Sequence, residues 1–185
     1  MGKIYTKRGD KGKTRTFFGE MSKADSLAEA LGGIDELNSW IGLCRTKIQK
    51  TNDKYTNQIQ KELKKIQNNL LVIGSGLSGS GLGLKSYEVG RLERVIDKLT
   101  EELPPLKNFI YPVGELQVAR AVCRRAERRV VGYLRNNAPS DPPLYQRGGR
   151  GSSVLRYLNR LSDALFVMAR WVNFKLGGKE EVWRS

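Results

Sequence analysis

Three arginines recur at intervals of four residues within 119–129, a stretch without glycine or proline that we expect to be helical. Arg120, Arg124 and Arg128 would then share one helical face, with Glu127 within reach of Arg124. Because stacked like charges destabilise a helix, acids on a neighbouring helix or an anionic ligand should offset them. Arginine binds phosphate groups bidentately, so a polyphosphate is one such ligand. A charged face that simply lies in water explains the same spacing, and the stretch alone leaves both readings open.

A second basic stretch, residues 3–24, is rich in glycine and lysine and has no helical periodicity. Its backbone N–H and ammonium groups could bind phosphates. Gly12-Lys13-Thr14 looks like the end of a P-loop, but Gly9 stands three residues before Gly12 where that motif needs five. We therefore reject a P-loop. The stretch is read either as a phosphate-binding loop or as a mobile basic tail.

The overall charge favours an anionic partner. The formal net charge is +14, which points to nucleotides, nucleic acid or a membrane surface. The chain contains no histidine, the usual proton-transfer residue near neutral pH and the commonest metal ligand. This excludes a histidine-bearing catalytic triad, a histidine-bound zinc site and the Glu-x-x-His di-iron motif. We assign no metal-ligating residue.

The cysteines and the hydropathy indicate a cytoplasmic protein that does not cross a membrane. Only two cysteines occur, Cys44 and Cys123, and both lie in expected helices. Two such cysteines do not form a disulfide framework, so a reducing compartment is expected. The chain shows neither an apolar signal core near its start nor a membrane-spanning run.

Apolar residues recur at helical spacing over five segments. The predicted helices cover residues 26–50, 55–74, 88–103, 115–136 and 154–176. Between them we expect a turn at 51–53, a Gly/Ser loop at 75–85 and a loop rich in proline and glycine at 137–152. Ser152 and Ser153 are expected to cap the fifth helix. With no convincing strand pattern, these features predict an all-α, five-helix up-and-down bundle in a single domain of residues 1–185.

The first predicted helix carries two features of interest. Gly32-Gly33 interrupts its apolar stripe and indicates a close approach to another element or a kink. Asp35 follows shortly after and is a candidate partner for the arginine face, although an exposed aspartate is the commoner outcome.

Three groups of motifs span nearly the whole chain; each is weak alone and together they are specific. They are Ile4-Tyr5-Thr6-Lys7 with Gly9-Asp10-Lys11-Gly12 and Thr14; Gly33-Ile34-Asp35-Glu36-Leu37-Asn38-Ser39; and Arg124-Arg125-Ala126-Glu127-Arg128 with Leu158-Asn159-Arg160-Leu161-Ser162-Asp163, Leu165-Phe166 and Ala169-Arg170. In this order they resemble the PduO-type ATP:cob(I)alamin adenosyltransferases, the corrinoid adenosyltransferase family.

The resemblance implies a ferritin-like five-helix bundle that assembles as a homotrimer with ATP bound between subunits. In the reaction it implies, the Co(I) centre of cob(I)alamin or a related corrinoid attacks C5′ of ATP, brought with Mg²⁺, and expels triphosphate. Because cobalt is the nucleophile, the protein supplies positioning and charge stabilisation, which lysine and arginine can provide. A corrinoid reductase is a further partner that the resemblance suggests.

The resemblance also assigns residues, and it divides the chain into a nucleotide-binding segment at 1–24 and a helical bundle at 25–177. The triphosphate would be bound by Thr6, Lys7, Gly9, Asp10, Thr14, Arg15 and Lys23. The nucleotide site would be completed by Arg124, Arg125, Glu127, Arg128 and Asn159, with Arg120 and Asp163 at further functional positions. Asp35 would pair with Arg128, and Phe109 would shield the lower face of the cobalt, favouring the four-coordinate state that can be reduced.

The chain departs from the family pattern just before the arginine helix. The connector at 112–117 is shorter than usual, and Gln117 stands where histidine is typical. Two other functions are therefore considered. One is a basic helical module that binds nucleic acid through backbone charge, which the net charge and the Gly/Arg loop at 147–151 favour. Against nucleic acid as a partner, few aromatics accompany the basic residues, and no nucleic-acid-binding motif is recognisable. The other is a bundle that binds ATP or corrinoid without turnover.

Overall fold

The computed structural model describes residues 3–49, 54–136 and 150–184. Within these ranges it contains α1 (Ser26–Gln49), α2 (Lys54–Leu77), α3 (Tyr87–Glu101), α4 (Glu115–Asn136) and α5 (Arg150–Lys175). The predicted all-α, five-helix bundle is confirmed. The predicted turn at 51–53 and residues 137–149 of the predicted loop lie outside the described residues.

Two predicted helix boundaries were wrong by more than two residues, and the third helix ends at Glu101 rather than at residue 103. The second helix continues past Gly74 to Leu77, since Ile73 and Leu77 both pack into the core. Gly76 lies against the following loop, where a Cβ would approach the carbonyl oxygen of Leu82 to 2.6 Å. The fifth helix begins at Arg150, so Ser152 and Ser153 lie inside it rather than at its cap. The apolar pattern starts only at Val154, which is buried, whereas residues 151–153 are half-buried, and this explains the late predicted start.

The helices enclose one apolar core. The principal contacts place them in the order α2, α1, α4, α5, α3, with α5 also touching α2. The core is formed by the predicted apolar stripes, including Leu37 and Ile41 of α1, Ile66 and Leu70 of α2, and Leu161 of α5. No described helix is both long enough and apolar enough to cross a membrane.

The close approach predicted at Gly32-Gly33 is confirmed at Gly33. A Cβ at Gly33 would lie 3.3 Å from Cα of Ala126 and 3.2 Å from Cδ of Arg129, so the backbones of α1 and α4 nearly touch. Gly32 faces open space. This contact brings the acids of α1 beside the arginines of α4.

The interpretation of residues 3–24 as lacking strands was wrong. β1 (Lys13–Thr16) and β2 (Gly19–Ser22) form an antiparallel hairpin with Thr14 opposite Met21 and Arg15 opposite Glu20. Its tip is attached to the bundle, because the Phe17 N–H donates to the Ser78 carbonyl at 3.1 Å. Alternate exposure along both strands follows the pleat. Each strand is four residues long and buries no fully apolar face, which is why the sequence carried no clear strand pattern.

The chain after α5 turns back onto the connector before α4. Gly177 has φ of +77°, the left-handed conformation that ends a helix and favours glycine. Residues 181–183 then pair with residues 109–111 around an antiparallel bridge between Ile110 and Val182.

Candidate functional site

An open cleft of about 770 Å³ lies between the hairpin, α1 and α2. Four of the predicted site residues line it: Thr14, Arg15 and Lys23 of the nucleotide-binding set, and Asp35. Its remaining walls are largely apolar, with Leu31, Ile34, Leu70, Leu71 and Gly74 among them. The cleft therefore combines an apolar floor with two cationic side chains and a carboxylate.

The segment before the hairpin is folded around Lys23. The Lys23 ammonium group donates to the Gly9 carbonyl at 3.0 Å, and the Lys23 backbone N–H donates to the Gly12 carbonyl at 2.8 Å. Lys7 adopts φ of 60°, which is uncommon for a residue with a side chain. Thr6, Lys7, Asp10 and Arg15 are exposed, and Gly9 is half-buried. The Thr6 hydroxyl and the cationic side chains of Lys7 and Arg15 are therefore exposed where they could meet an anion.

The arginines of α4 fall into two sets with different surroundings. Arg125 pairs with Glu36, and the Arg129 Nε lies 3.1 Å from Glu29 and its Nη1 4.0 Å from Glu36. The neighbouring acids expected from the sequence therefore exist, but they neutralise this set. Arg124 and Arg128 are exposed, and neither forms an ion pair with any residue in the described parts of the chain.

The predicted residues of α5 lie beside this second set. The Asn159 Nδ2 donates to the Glu127 Oε1 at 3.4 Å, which links α5 to α4. The Asn159 Oδ1 also accepts a hydrogen bond from the Arg160 Nη1 at 3.0 Å. Asp163 is exposed one turn further along α5, with Arg160 4.0 Å away. We name the surface formed by Arg124, Glu127, Arg128, Asn159 and Asp163 the α4–α5 face.

Gln117, which replaces the typical histidine, contacts another predicted residue. Its side chain is buried, and its Oε1 accepts a hydrogen bond from the Arg120 Nε at 2.7 Å. Arg120 is thereby held toward the start of α4, although it belongs to the same i, i+4, i+8 series as Arg124 and Arg128. The departure from the family pattern therefore provides an acceptor for Arg120.

Asp35 and Phe109 are separate from the α4–α5 face within one chain. Asp35 is exposed at the cleft, and no ion pair joins it to Arg128 or to another described residue. The pairing with Arg128 therefore remains a prediction. Phe109 is 81% exposed and lies in a different hollow, with Leu106, Lys107, Asn108, Trp183 and Arg184.

Neither cysteine is suited to act as a nucleophile. Burial raises the pKa of Cys44 to about 12. Burial also raises the pKa of Cys123, with Glu127 and Asp163 adding to the shift and Arg124 opposing it. Both thiols are free, buried and protonated at neutral pH. The described residues contain no cluster of three or more potential metal-ligating side chains.

Asn38 is a cleft residue that sequence reasoning did not assign to the site. It lies one turn after Asp35 on α1 and lines the same cleft. Its Oδ1 is buried without a hydrogen-bond partner in the described structure, an arrangement that costs free energy. The i, i+3 spacing from Asp35 was the signal that could have identified it.

Taken together, the geometry is suited to binding a polyphosphate attached to a flat apolar group. Arginine and lysine side chains would bind the phosphates, and the apolar floor of the cleft would contact a ring. Neither buried thiol is available as a covalent nucleophile at this site.

Comparison with known proteins gives a consistent result. The profile of the cobalamin adenosyltransferase family matches residues 4–172. Corrinoid adenosyltransferase MMAB of Bos taurus is 42% identical over 199 residues, covering 99% of this chain and 76% of that protein. Corrinoid adenosyltransferase of Bacillus subtilis is 39% identical over 193 residues, covering 99% and 93%. The structure of a variant PduO-type ATP:corrinoid adenosyltransferase from Lactobacillus reuteri, complexed with cobalamin and ATP, superimposes with a TM-score of 0.84 at 33% identity, covering 99% of this chain and 100% of that one.

Proposed function

The chain belongs to the cobalamin adenosyltransferase family, and from that membership we infer that it transfers the 5′-deoxyadenosyl group of ATP to the cobalt of a reduced corrinoid. It is an enzyme of the transferase class, with ATP and a corrinoid as its substrates. The cobalt lone pair forms a bond to C5′ while the bond between C5′ and the triphosphate oxygen breaks. The products are the adenosylated corrinoid and triphosphate.

The observation that best supports this chemistry is the division of the α4 arginines. Arg125 and Arg129 are neutralised by Glu29 and Glu36, whereas Arg124 and Arg128 are exposed and lack ion pairs within the described ranges. The leaving triphosphate gains negative charge in the transition state, and unpaired guanidiniums can stabilise it without first breaking other contacts. We propose that Arg124 and Arg128 have this role.

The N-terminal segment would bind the same triphosphate from the other side. Its contribution is proposed for seven residues: Thr6, Lys7, Gly9, Asp10, Thr14, Arg15 and Lys23. Compact turns with exposed N–H and ammonium groups suit phosphate oxygens. Arg120, Arg125, Glu127, Asn159 and Asp163 would orient the arginines or contact the nucleotide directly.

The magnesium ion would be carried mainly by its nucleotide. Mg²⁺ in phosphate-binding sites is usually held by one or two carboxylates and by the substrate phosphates rather than by a dedicated protein cage. Asp10 is exposed in the phosphate-binding segment and is the carboxylate we propose for this contact.

We propose that the complete site forms between subunits of a homotrimer. The cleft with Asp35 and the α4–α5 face are separate surfaces within one chain, and neither contains all the residues predicted for the site. In a cyclic trimer, the cleft of one subunit meets the α4–α5 face of the next, which would bring Asp35 to the arginines. Exposed Leu43 and Leu71, on α1 and α2, supply apolar surface that such an interface would cover.

Three further features of the proposal come from family likeness and composition. We assign the nucleotide-binding segment to residues 1–24 and the bundle to 25–177. A corrinoid reductase would supply the Co(I) state. The two free, buried thiols support a reducing, cytoplasmic compartment.

An anaerobic assay with chemically reduced cobalamin, ATP and Mg²⁺ tests the proposal directly. We expect the absorption spectrum of adenosylcobalamin to appear together with one triphosphate per turnover. Saturable ATP binding without product would instead support a bundle that binds without turnover. Equal affinities for ATP and a random oligonucleotide in calorimetry, both falling steeply with salt, would support the nucleic-acid module.

A further inference from the structure

Arg170 is a buried arginine in the last third of α5 that the proposed reaction does not use. It is 5% exposed, and its guanidinium group also lies over the Phe166 ring at 6.0 Å. A buried cation is costly unless it is paired and fully hydrogen-bonded. Its partners should therefore indicate why the chain retains it.

Those partners come from two segments that are distant in sequence. The Arg170 Nε donates to the Glu180 Oε1 at 2.5 Å, and its Nη2 donates to the Glu180 Oε2 at 3.1 Å. The same Nη2 donates to the Pro104 carbonyl at 3.0 Å. Arg170 thus ties the chain after α5 to the connector between α3 and α4. Lysine could not form this fork, because it lacks the planar arrangement of donors.

The residues that follow Glu180 pair with the part of the connector that carries Phe109. The Tyr111 N–H donates to the Glu181 carbonyl and the Trp183 N–H donates to the Phe109 carbonyl, both at 2.9 Å. These bonds flank the bridge between Ile110 and Val182 and set the register. In that register Phe109 stands opposite Trp183, and their rings meet edge to face with centroids 6.4 Å apart.

Phe109 has little other support. It is 81% exposed, and the connector around it carries no helix. A shift of one residue in the pairing would move Trp183 to the opposite side of the segment and remove the ring contact. The position of Phe109 therefore depends on the anchor that fixes this register.

We propose that Arg170 is a positioning residue for the reaction and acts on Phe109 through Glu180 and the pairing of residues 109–111 with 181–183. This inference rests on the proposed function, in which Phe109 faces the cobalt. Arg170 does not touch either substrate. It holds the connector and the segment after α5 in one register, so that the Phe109 ring is already in place when the corrinoid binds.

The test compares two carboxylate-to-amide changes, E180Q and E102Q, in the full chain. Glu102 is the matched control, since it also binds a cation of α5, Lys175 at 2.8 Å, but takes no part in the pairing of the described residues 109–111 and 181–183. The variant R170K provides the second change at the anchor. Thermal unfolding of each variant establishes that the bundle remains folded.

The first measurement is backbone hydrogen exchange, which does not depend on activity. E180Q and R170K should speed exchange at the N–H groups of Tyr111 and Trp183 by about tenfold, as expected when a charge-assisted hydrogen bond is lost. Exchange at these groups should not change in E102Q. Wild-type exchange rates in E180Q and R170K would overturn the proposed anchor.

The second measurement is the coordination of bound Co(II) corrinoid, followed by its absorption and electron paramagnetic resonance spectra. E180Q and R170K should lower the four-coordinate fraction and kcat in parallel, by about tenfold, while KM for ATP stays within about twofold. Adding F109A to E180Q should cause no further loss beyond F109A alone. An unchanged four-coordinate fraction, or additive losses in the double variant, would overturn the inference.

The two failures are distinguishable. If wild-type protein and E102Q produce no adenosylcobalamin, the proposed function fails, whatever hydrogen exchange shows. If both are active and E180Q is equally active with wild-type spectra, the proposed function stands and only the role of Arg170 is wrong. If R170K does not fold, the role of Arg170 is tested with E180Q alone. E180Q should fold, because Glu180 lies nearer the surface than Arg170.

Discussion

Gly33 of α1 lies directly against Ala126 of α4, with only 3.3 Å between the place of an added Cβ and the Ala126 Cα. This contact sets the distance at which Glu36 binds Arg125 and Glu29 binds Arg129. The close backbone approach thus determines which arginines of α4 are neutralised. Arg124 and Arg128 lie on the adjoining face of the helix, about 100° away, and remain without ion pairs among the described residues.

The two adjacent glycines of α1 should respond oppositely to alanine. G33A forces the α1 and α4 backbones apart, and we expect it to lower the free energy of unfolding by about 1–2 kcal/mol. G32A meets open space and should raise that free energy by about 0.5–1 kcal/mol, because alanine favours the helix. Chemical denaturation at fixed protein concentration measures both. Equal effects of the two changes would contradict the contact.

The two sets of arginines should separate activity from stability. R124A removes an exposed guanidinium that we place against the triphosphate, so kcat/KM should fall about tenfold to hundredfold with little change in stability. R129A breaks the ion pair with Glu29 and should leave kcat/KM within about threefold. Steady-state adenosylation with varied ATP measures both. Similar losses in the two variants would mean that the division between the sets is irrelevant to catalysis.

The carboxylate of the cleft should matter for activity and not for folding. Asp35 is exposed and lacks an ion pair in the described part of one chain, so D35N removes no intrachain contact. We expect an unchanged unfolding midpoint for the dissociated chain and a loss of about tenfold in kcat/KM. D25N, which alters the hydrogen bond from the Ser22 N–H at the start of α1, is the control and should mainly affect stability. Full activity in D35N would remove Asp35 from the site.

Stability toward acid should depend on a buried carboxylate away from the site. Burial opposes the charge of Glu88, but hydrogen bonds from Arg91 and Asn69 and the charge of Lys65 hold its pKa below the ordinary value of 4.5. Because the pKa of Glu88 is lower in the folded than in the unfolded state, its charge stabilises the fold above the ordinary value. This contribution is lost as pH falls through the folded-state pKa. E88Q should therefore lower the unfolding free energy at pH 7 by about 3 kcal/mol and flatten its decline below about pH 4.5.

Denaturation at a series of pH values, at one protein concentration, measures this effect. The control is E20Q, because the Lys13–Glu20 pair of the hairpin is exposed and should contribute little. An acid decline in E88Q as steep as in the wild type would show that another group controls it.

The sequence predicted the helices well because their apolar stripes are long and regular. Leu37, Ile41 and Leu70 repeat at helical spacing, and the structure buries all three. Prediction from the sequence failed at the hairpin, because its four-residue strands bury no apolar face. It also failed at Ser152-Ser153, where the preference of serine for a helix cap was taken as a boundary although the helix continues through both residues.

The candidate site was predictable in its residue types but not in its arrangement. The i, i+4 spacing placed Arg124 and Arg128 together, but spacing cannot show that Glu36 binds Arg125 instead. The i, i+3 spacing makes Gln117 and Arg120 neighbours, but it does not show that Gln117 is buried, and the pairing of Phe109 with Trp183 joins segments far apart in sequence. Such contacts are set by tertiary packing, which no local pattern encodes.

The proposed intersubunit site predicts that two variants with reduced activity can partly restore activity to each other. If Asp35 of one subunit meets Arg124 of the next, D35N and R124A subunits mixed in equal amounts should recover activity at interfaces where both residues are native. Every cyclic trimer that contains both variants has one such interface among its three, so about one third of the sites should recover in the purified mixed trimers. Coexpressed variants with separate affinity tags, purified for both tags and assayed anaerobically, measure this recovery. As a control, D35N mixed with the double variant D35N/R124A should recover nothing. A mixture no more active than its components would place both residues in one subunit's site, as would sedimentation of the active enzyme as a monomer.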